Sequence, residues 1–112
     1  MLREDAIRML HMLDAAREAI SFSRGRARAD LDSDRMLTFA LVRAIEIVGE
    51  AASKVTVQTR SEFPEMPWPD IVGMRNRIVH AYFDIDLDRV WDTVKIDLPA
   101  LVTVLEQALD RP

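Results

Sequence analysis

The chain has 112 residues, a net charge of −4 and no cysteine, with 49% of its residues apolar and 6% aromatic. That length fits one domain, and the absence of thiols excludes a disulfide framework and a thiolate metal site. The acidic balance excludes a general attraction to nucleic acid, so any RNA contact must rest on a local basic patch.

Three glycines, five prolines and few aromatics argue against an all-β design, while the abundance of Ala, Leu, Met, Arg and Glu favours helices. The N-terminus is charged and lacks a following apolar region, so no signal peptide is visible. No run approaches the roughly 20 apolar residues of a membrane span, and the expectation is a soluble, cytoplasmic protein without membrane contact. Charge is uneven: residues 84–112 carry seven acids and three bases, leaving twelve of each in the first 83 residues. The bases are thirteen Arg and two Lys. Arg is the better bidentate phosphate ligand, although a GC-rich genome would give the same bias.

The spacing predicts a first helix over residues 2–24. Ile7, Leu10, Leu13, Arg17 and Ile20 trace it, and Met9, Met12 and Ala16 widen its apolar face. Gly25 ends it, and Arg24, Arg26 and Arg28 follow in a basic connection that is either solvated or a phosphate contact. Asp32, Ser33 and Asp34 offer N-caps for a second helix reaching about residue 57. Leu37, Leu41, Ala44, Val48, Ala51 and Val55 form one of its stripes; Phe39, Val42, Ile45, Gly49 and Ala52 form another. Two apolar faces need two partners, which suggests that the second stripe is a subunit interface. Glu46 and Glu50 lie four apart on this helix. They either pair with Arg43 and Lys54 or stand beside the basic segment further on.

Pro64, Pro67 and Pro69 predict a break over residues 58–69. A third helix then starts with Pro69 in its first turn and runs to about residue 82 or 83. Asp84-Ile85-Asp86 reads as a turn with Asp86 as a cap. A fourth helix from about Leu87 uses Val90, Val94, Leu98, Leu101, Leu105 and Leu109, and Pro99 should kink or split it. The expected architecture is an all-α, antiparallel up-and-down four-helix bundle.

Arg75-Asn76-Arg77-Ile78-Val79-His80-Ala81-Tyr82 gathers two guanidiniums, a carboxamide, an imidazole and the chain's one tyrosine. On a continuous helix Asn76 and His80 share a face and Arg77 flanks His80. Arg75 lies about 140° round the axis, yet its long side chain can curl back. Metal-free RNA cleavage needs a base for the 2′-hydroxyl proton and an acid for the departing 5′-oxygen, and His can take either role. Arg supplies positive charge for the phosphorane-like transition state, and Asn can hold a phosphate oxygen or fix the ring tautomer. One motif histidine per chain means that an acid and a base require two copies, hence a homodimer. The competing reading is a helix end whose Arg and His cap carbonyls or pair with Asp84 and Asp86. Two histidines without cysteine do not make a metal-ligand set. Asp84, Asp86 and Asp88 lack the glycine and distal glutamate of an EF-hand loop, so capping is their expected role.

The same eight residues resemble the R-x4-H-x-Y motif of HepT-like toxins in the HEPN superfamily. Arg75 matches its arginine, His80 its histidine and Tyr82 its tyrosine, and Asn76 fits the polar residue after the arginine. Ala44-Ile45-Glu46-Ile47-Val48-Gly49-Glu50-Ala51-Ala52 is similar to that family's second-helix segment, and Trp68-Pro69-Asp70-Ile71-Val72-Gly73-Met74 to its approach to the motif. The resemblance implies a HEPN-like helical homodimer, the toxin of a toxin–antitoxin system, whose paired motifs cleave RNA without metal. Arg75, Asn76 and His80 would be catalytic; helical spacing adds Arg77, Glu46 and Glu50 as possible supporting residues, one glutamate orienting Arg75 or His80. The resemblance also implies an MntA-like nucleotidyltransferase antitoxin that transfers AMP units from ATP to the motif tyrosine, by position Tyr82. ATP would then be the partner's substrate, and the chain itself would need no cofactor. The alternative is a non-catalytic nucleotide- or substrate-binding partner subunit of such a nucleotidyltransferase.

Overall fold

A buried carboxylate sets the direction of the first two long helices. The computed structural model describes residues 1–79 and 84–110. In it α1 (Arg3–Ser23) opens with Asp5, which is 2% exposed. Asp5 accepts hydrogen bonds from the Thr56 amide (3.0 Å), the Thr56 hydroxyl (2.6 Å) and the Thr59 hydroxyl. These threonines begin α4 (Val57–Glu62), immediately after α3 (Arg35–Ser53). The start of α1 is thereby pinned to the end of α3, and the two run antiparallel.

The inward face of α1 keeps Met9, Met12, Leu13 and Ala16 of the expected apolar face but turns Ile7 and Leu10 outward. Met9, Met12, Ala16 and Ala19 are fully buried, whereas Ile7 and Leu10 are exposed. Ala15, Ala16 and Ala19 let α3 and α8 (Leu98–Leu109) approach closely, and the flexible methionines fill the gaps that remain. Gly25, at φ 69°, takes the left-handed conformation that ends the helix as expected. A short α2 (Asp30–Ser33) follows, and Asp34 caps α3 by accepting from the Leu37 amide at 3.0 Å.

Two boundaries differ from expectation. The second long helix stops at Ser53, and the expected break contains α4, capped by the Thr56 hydroxyl. Arg60 of α4 donates to the carbonyls of Val55 and Ala52 at 3.0 Å each, which satisfies the C-terminal end of α3 and holds the turn. The third helix is two short pieces, α5 (Trp68–Val72) and α6 (Met74–Ile78), jointed at Gly73. It does not continue to residue 82: Val79 is extended (φ −116°, ψ 117°) and forms an antiparallel bridge with Ile85, while the Asp86 amide donates to the Ile78 carbonyl at 2.8 Å. A β-branched residue in this pairing ends the helix before His80.

Asp86 caps α7 (Leu87–Asp92), accepting from the Arg89 amide at 3.0 Å. Thr93–Asp97 is one wide π-helical turn, with the Leu98 amide bonded to the Thr93 carbonyl, and α8 follows with Pro99 in its first turn. The proline thus splits the fourth helix. It lacks an N–H and crowds the carbonyl four residues back, and the wide turn absorbs both effects.

The bundle consists of α1, α3, the α5–α6 pair and the α7–α8 helix. Arg17 pairs with Glu106 and the Lys95 ammonium reaches the Ser23 carbonyl, so α1 and α8 are antiparallel. Met9, Met12, Leu41, Ile45, Ile71, Ile78, Val90 and Leu105 meet in one continuous core, each worth about 1.5–3 kcal/mol of burial. The second stripe of α3 belongs largely to this interior: Val42, Ile45, Gly49 and Ala52 are buried within the protomer and Phe39 stays exposed. It is therefore not the free subunit interface that its spacing suggests, because α5 and α6 already pack on α3. Among the described residues no helix is long and apolar enough to cross a membrane.

Candidate functional site

Gly49 sets the position of the basic segment. A Cβ there would lie 3.4 Å from the carbonyl oxygens of both Ile71 and Val72, so α5 lies close against α3 with room at this point for no more than a small side chain. Because α5–α6 runs antiparallel to α3, one turn onward on α6 faces one turn back on α3. Arg75 therefore meets Glu46. Its Nε lies 3.9 Å from Glu46 Oε1, with the arginine side chain 49% exposed and the glutamate 24%.

The other oxygen of Glu46 lies 3.4 Å from Arg43, which also pairs with Glu50 at 3.6 Å. Both readings of Glu46 thus hold together: one oxygen faces its helical neighbour and the other the basic segment. Glu50 pairs with Arg43 instead of Arg75. Asn76 is exposed beside Arg75, and the two share a shallow depression of about 160 Å³ with Glu46, Glu50 and Ser53.

Arg77 points elsewhere. Its guanidinium donates to the Asp70 carbonyl at 2.7 Å and the Asp70 carboxylate at 3.1 Å, beside a separate cavity of about 390 Å³ that also includes Ile96 and Leu101. The two guanidiniums of the motif are therefore not brought together. His80 and Tyr82 lie outside the described residues. Their neighbours in the chain, Val79 and Ile85, line a groove of about 640 Å³ that also takes in Arg75, Glu46, Phe39 and Arg35.

Arg26 and Arg28 of the basic connection have structural partners. Arg26 pairs with Asp34 at 2.7 Å, and Arg28 with Asp88 at 2.6 Å and Asp32 at 3.3 Å. Asp34 accepts from the Leu37 amide and from Arg26, which holds its carboxyl below the usual carboxylate range. No group of three or more acidic or histidine side chains among the described residues could hold a metal ion. Sequence reasoning missed the Arg35–Phe39 pair, in which the guanidinium carbon lies 5.1 Å from the ring centroid. Its signal was present in the one-turn spacing of the two residues.

A half-exposed arginine that faces a carboxylate and lines a groove can offer its guanidinium to an oxyanion. Fold and site together define a small helical protein with a groove on its α3–α6 seam that is lined by Arg35, Glu46 and Arg75. The chain belongs to the family described as Ribonuclease HepT-like, which matches residues 12–108. It is similar to a probable ribonuclease HepT of Thermococcus cleftensis, at 39% identity over 71% of this chain and 73% of that protein. A protein of Methanocaldococcus jannaschii named as an RNase is 35% identical over 85% of this chain and 87% of its own. Another so named, from Caldanaerobacter subterraneus subsp. tengcongensis, is 31% identical over 90% of each. No solved structure matches the chain significantly.

Proposed function

We propose that this protein is the ribonuclease toxin of a toxin–antitoxin system, cutting RNA at a site built on Arg75, Asn76 and His80. The observation that carries this reading is Arg75 itself: Glu46 steadies it at a groove bordered by Val79 and Ile85, the two residues that pair across the segment containing His80. One imidazole takes the proton of a 2′-hydroxyl, whose oxygen then attacks the adjacent phosphorus. The 5′-oxygen leaves with a proton from a second imidazole, giving a 2′,3′-cyclic phosphate and a 5′-hydroxyl end. Arg75 stabilises the charge that gathers on the phosphorus oxygens, and Asn76 orients one of them. Two imidazoles mean two copies of His80, so the reading requires a homodimer with paired motifs.

The family resemblance supports Tyr82 as the control point. AMP units transferred to its phenol oxygen from ATP, with release of pyrophosphate, would place bulk and negative charge two residues from His80. That charge would occupy the Arg75 site and exclude RNA. A nucleotidyltransferase antitoxin is the donor.

The test is cleavage of single-stranded RNA, with and without chelator, by the wild type and by Arg75→Ala and His80→Ala. Each variant should lose at least about 100-fold in rate while circular dichroism and mass in solution stay unchanged. A folded His80→Ala protein that still cuts would remove the motif from the mechanism. Incubation with the partner and ATP should add AMP to the wild type and not to Tyr82→Phe, as read by intact mass.

A further inference from the structure

The groove that begins at Arg75 and Glu46 continues along the first half of α3 to a part with different chemistry. There Phe39 is 53% exposed, and the Arg35 guanidinium lies over its ring. Phe39 precedes Glu46 by seven residues, two helical turns, or ~10.5 Å of axis. At about 3.4 Å per stacked base, the ring lies within roughly three nucleotides of a phosphate at Arg75. The carboxylates bordering the same groove are already engaged: Asp32 by Arg28 and Glu46 by Arg43 and Arg75. They therefore offer an approaching strand little repulsion. A phosphate-binding end, an exposed aromatic face and a second guanidinium in one open groove match the needs of single-stranded RNA. Unpaired bases stack on aromatic rings and guanidinium planes whatever their identity.

We infer that Phe39, with the Arg35 guanidinium over it, is a nucleobase-stacking platform that seats an unpaired base of the strand whose phosphate is held at Arg75. The inference rests on the proposed ribonuclease reading and adds a substrate subsite to it. It assigns the affinity of an acidic protein for RNA to stacking more than to charge, and the strand to unpaired RNA instead of duplex.

The probe is a short 2′-O-methyl oligonucleotide, which cannot be cut, carrying the fluorescent base 2-aminopurine at each position in turn. On the full-length wild type one position should be quenched on binding. Phe39→Ala should abolish that quenching and weaken binding by roughly 5- to 100-fold, and Phe39→Trp should restore both. With cleavable RNA, the Phe39→Ala loss should fall in KM with kcat nearly unchanged. Melting and sedimentation of each variant keep a folding or assembly defect separate. Unchanged quenching and affinity in Phe39→Ala overturns the platform. So does a change of oligomeric state that accounts for the loss, since the ring would then belong to an interface between copies. If the wild type binds and quenches but cuts no RNA, the ribonuclease reading fails and the platform stands. If Phe39→Ala cuts with an unaltered KM, the platform fails and the ribonuclease reading stands.

Discussion

Glu46 divides its two carboxylate oxygens between two arginines, Arg43 on its own helix and Arg75 on α6, at 3.4 Å and 3.9 Å. Neither arginine is buried, so the arrangement adds little to stability; exposed ion pairs are worth about 0.2–1 kcal/mol. Its effect is geometric. Glu46 faces Arg75 at Nε, the atom nearest the stem of the side chain, and so restrains the stem. An arginine held in this way loses less rotamer freedom when an oxyanion arrives.

Glu46→Gln should therefore act on function and leave stability within about 0.5 kcal/mol of the wild type. The expected outcome is a fall in kcat for RNA cleavage of about 2- to 5-fold, the range an exposed pair can account for, as Arg75 samples more conformers. In an Arg75→Ala background the same change should have no further effect. Independent losses from the two substitutions would show that Glu46 acts by a route other than Arg75.

Arg77 offers the opposite test two residues away. Its fork is committed to the carbonyl and carboxylate of Asp70, beside a different cavity. Arg77→Ala should leave the cleavage rate within about threefold of the wild type and lower the melting temperature slightly, by loss of an exposed pair. A loss approaching that of Arg75→Ala would mean that Arg77 leaves Asp70 when RNA binds.

The contrast between these arginines marks how far the sequence could be read. Helical periodicity and the Asp34, Pro69 and Asp86 signals were enough for the four-helix order, the second-helix core stripe and the Pro99 split. Local pattern placed Met9, Met12, Leu13 and Ala16 of α1 inward but could not show that Ile7 and Leu10 stay outside, because the closer-packing Ala and Met take the contact with the other helices. Nor could it show that Val79 leaves the helix, since that depends on pairing with Ile85 and on the Asp86 amide reaching Ile78. Arg75 and Arg77 have the same side chain and differ through tertiary partners alone. Glu46 and Glu50 differ for the same reason.

Gly49 links fold to site, and its substitutions should divide by size. Gly49→Ala places a Cβ at 3.4 Å from two carbonyls, an ordinary contact. Alanine's helix preference, about 0.5–1 kcal/mol over glycine, should leave stability equal or slightly raised. Gly49→Val should push α5 away from α3 and cost about 1–3 kcal/mol. Arg75 would move from Glu46 with it, so cleavage should fall in the valine variant and persist in the alanine one. A Gly49→Val protein as stable and active as the wild type would show that the α3–α5 seam does not set the site.

Acid should loosen the other end of the bundle through Asp5. Burial pushes its carboxyl up, but hydrogen bonds from the Thr56 hydroxyl, the Thr59 hydroxyl and the Thr56 amide outweigh that and hold it below the ordinary carboxylate range. A carboxyl whose folded pKa is depressed stabilises the protein fully above its unfolded value, about 4. That stabilisation is lost as pH falls through the folded value. Asp5→Asn sets an amide N–H₂ against donors, and at pH 7 it should cost about 1–3 kcal/mol. Measured by urea midpoints, the gap between wild type and variant should be large at pH 7 and narrow toward pH 3. Some acid dependence should survive in the variant, because Asp34 also sits below its usual range. A gap of equal size at both pH values would mean that Asp5 carries no acid-labile stability, and the latch would then owe its strength to packing around Thr59.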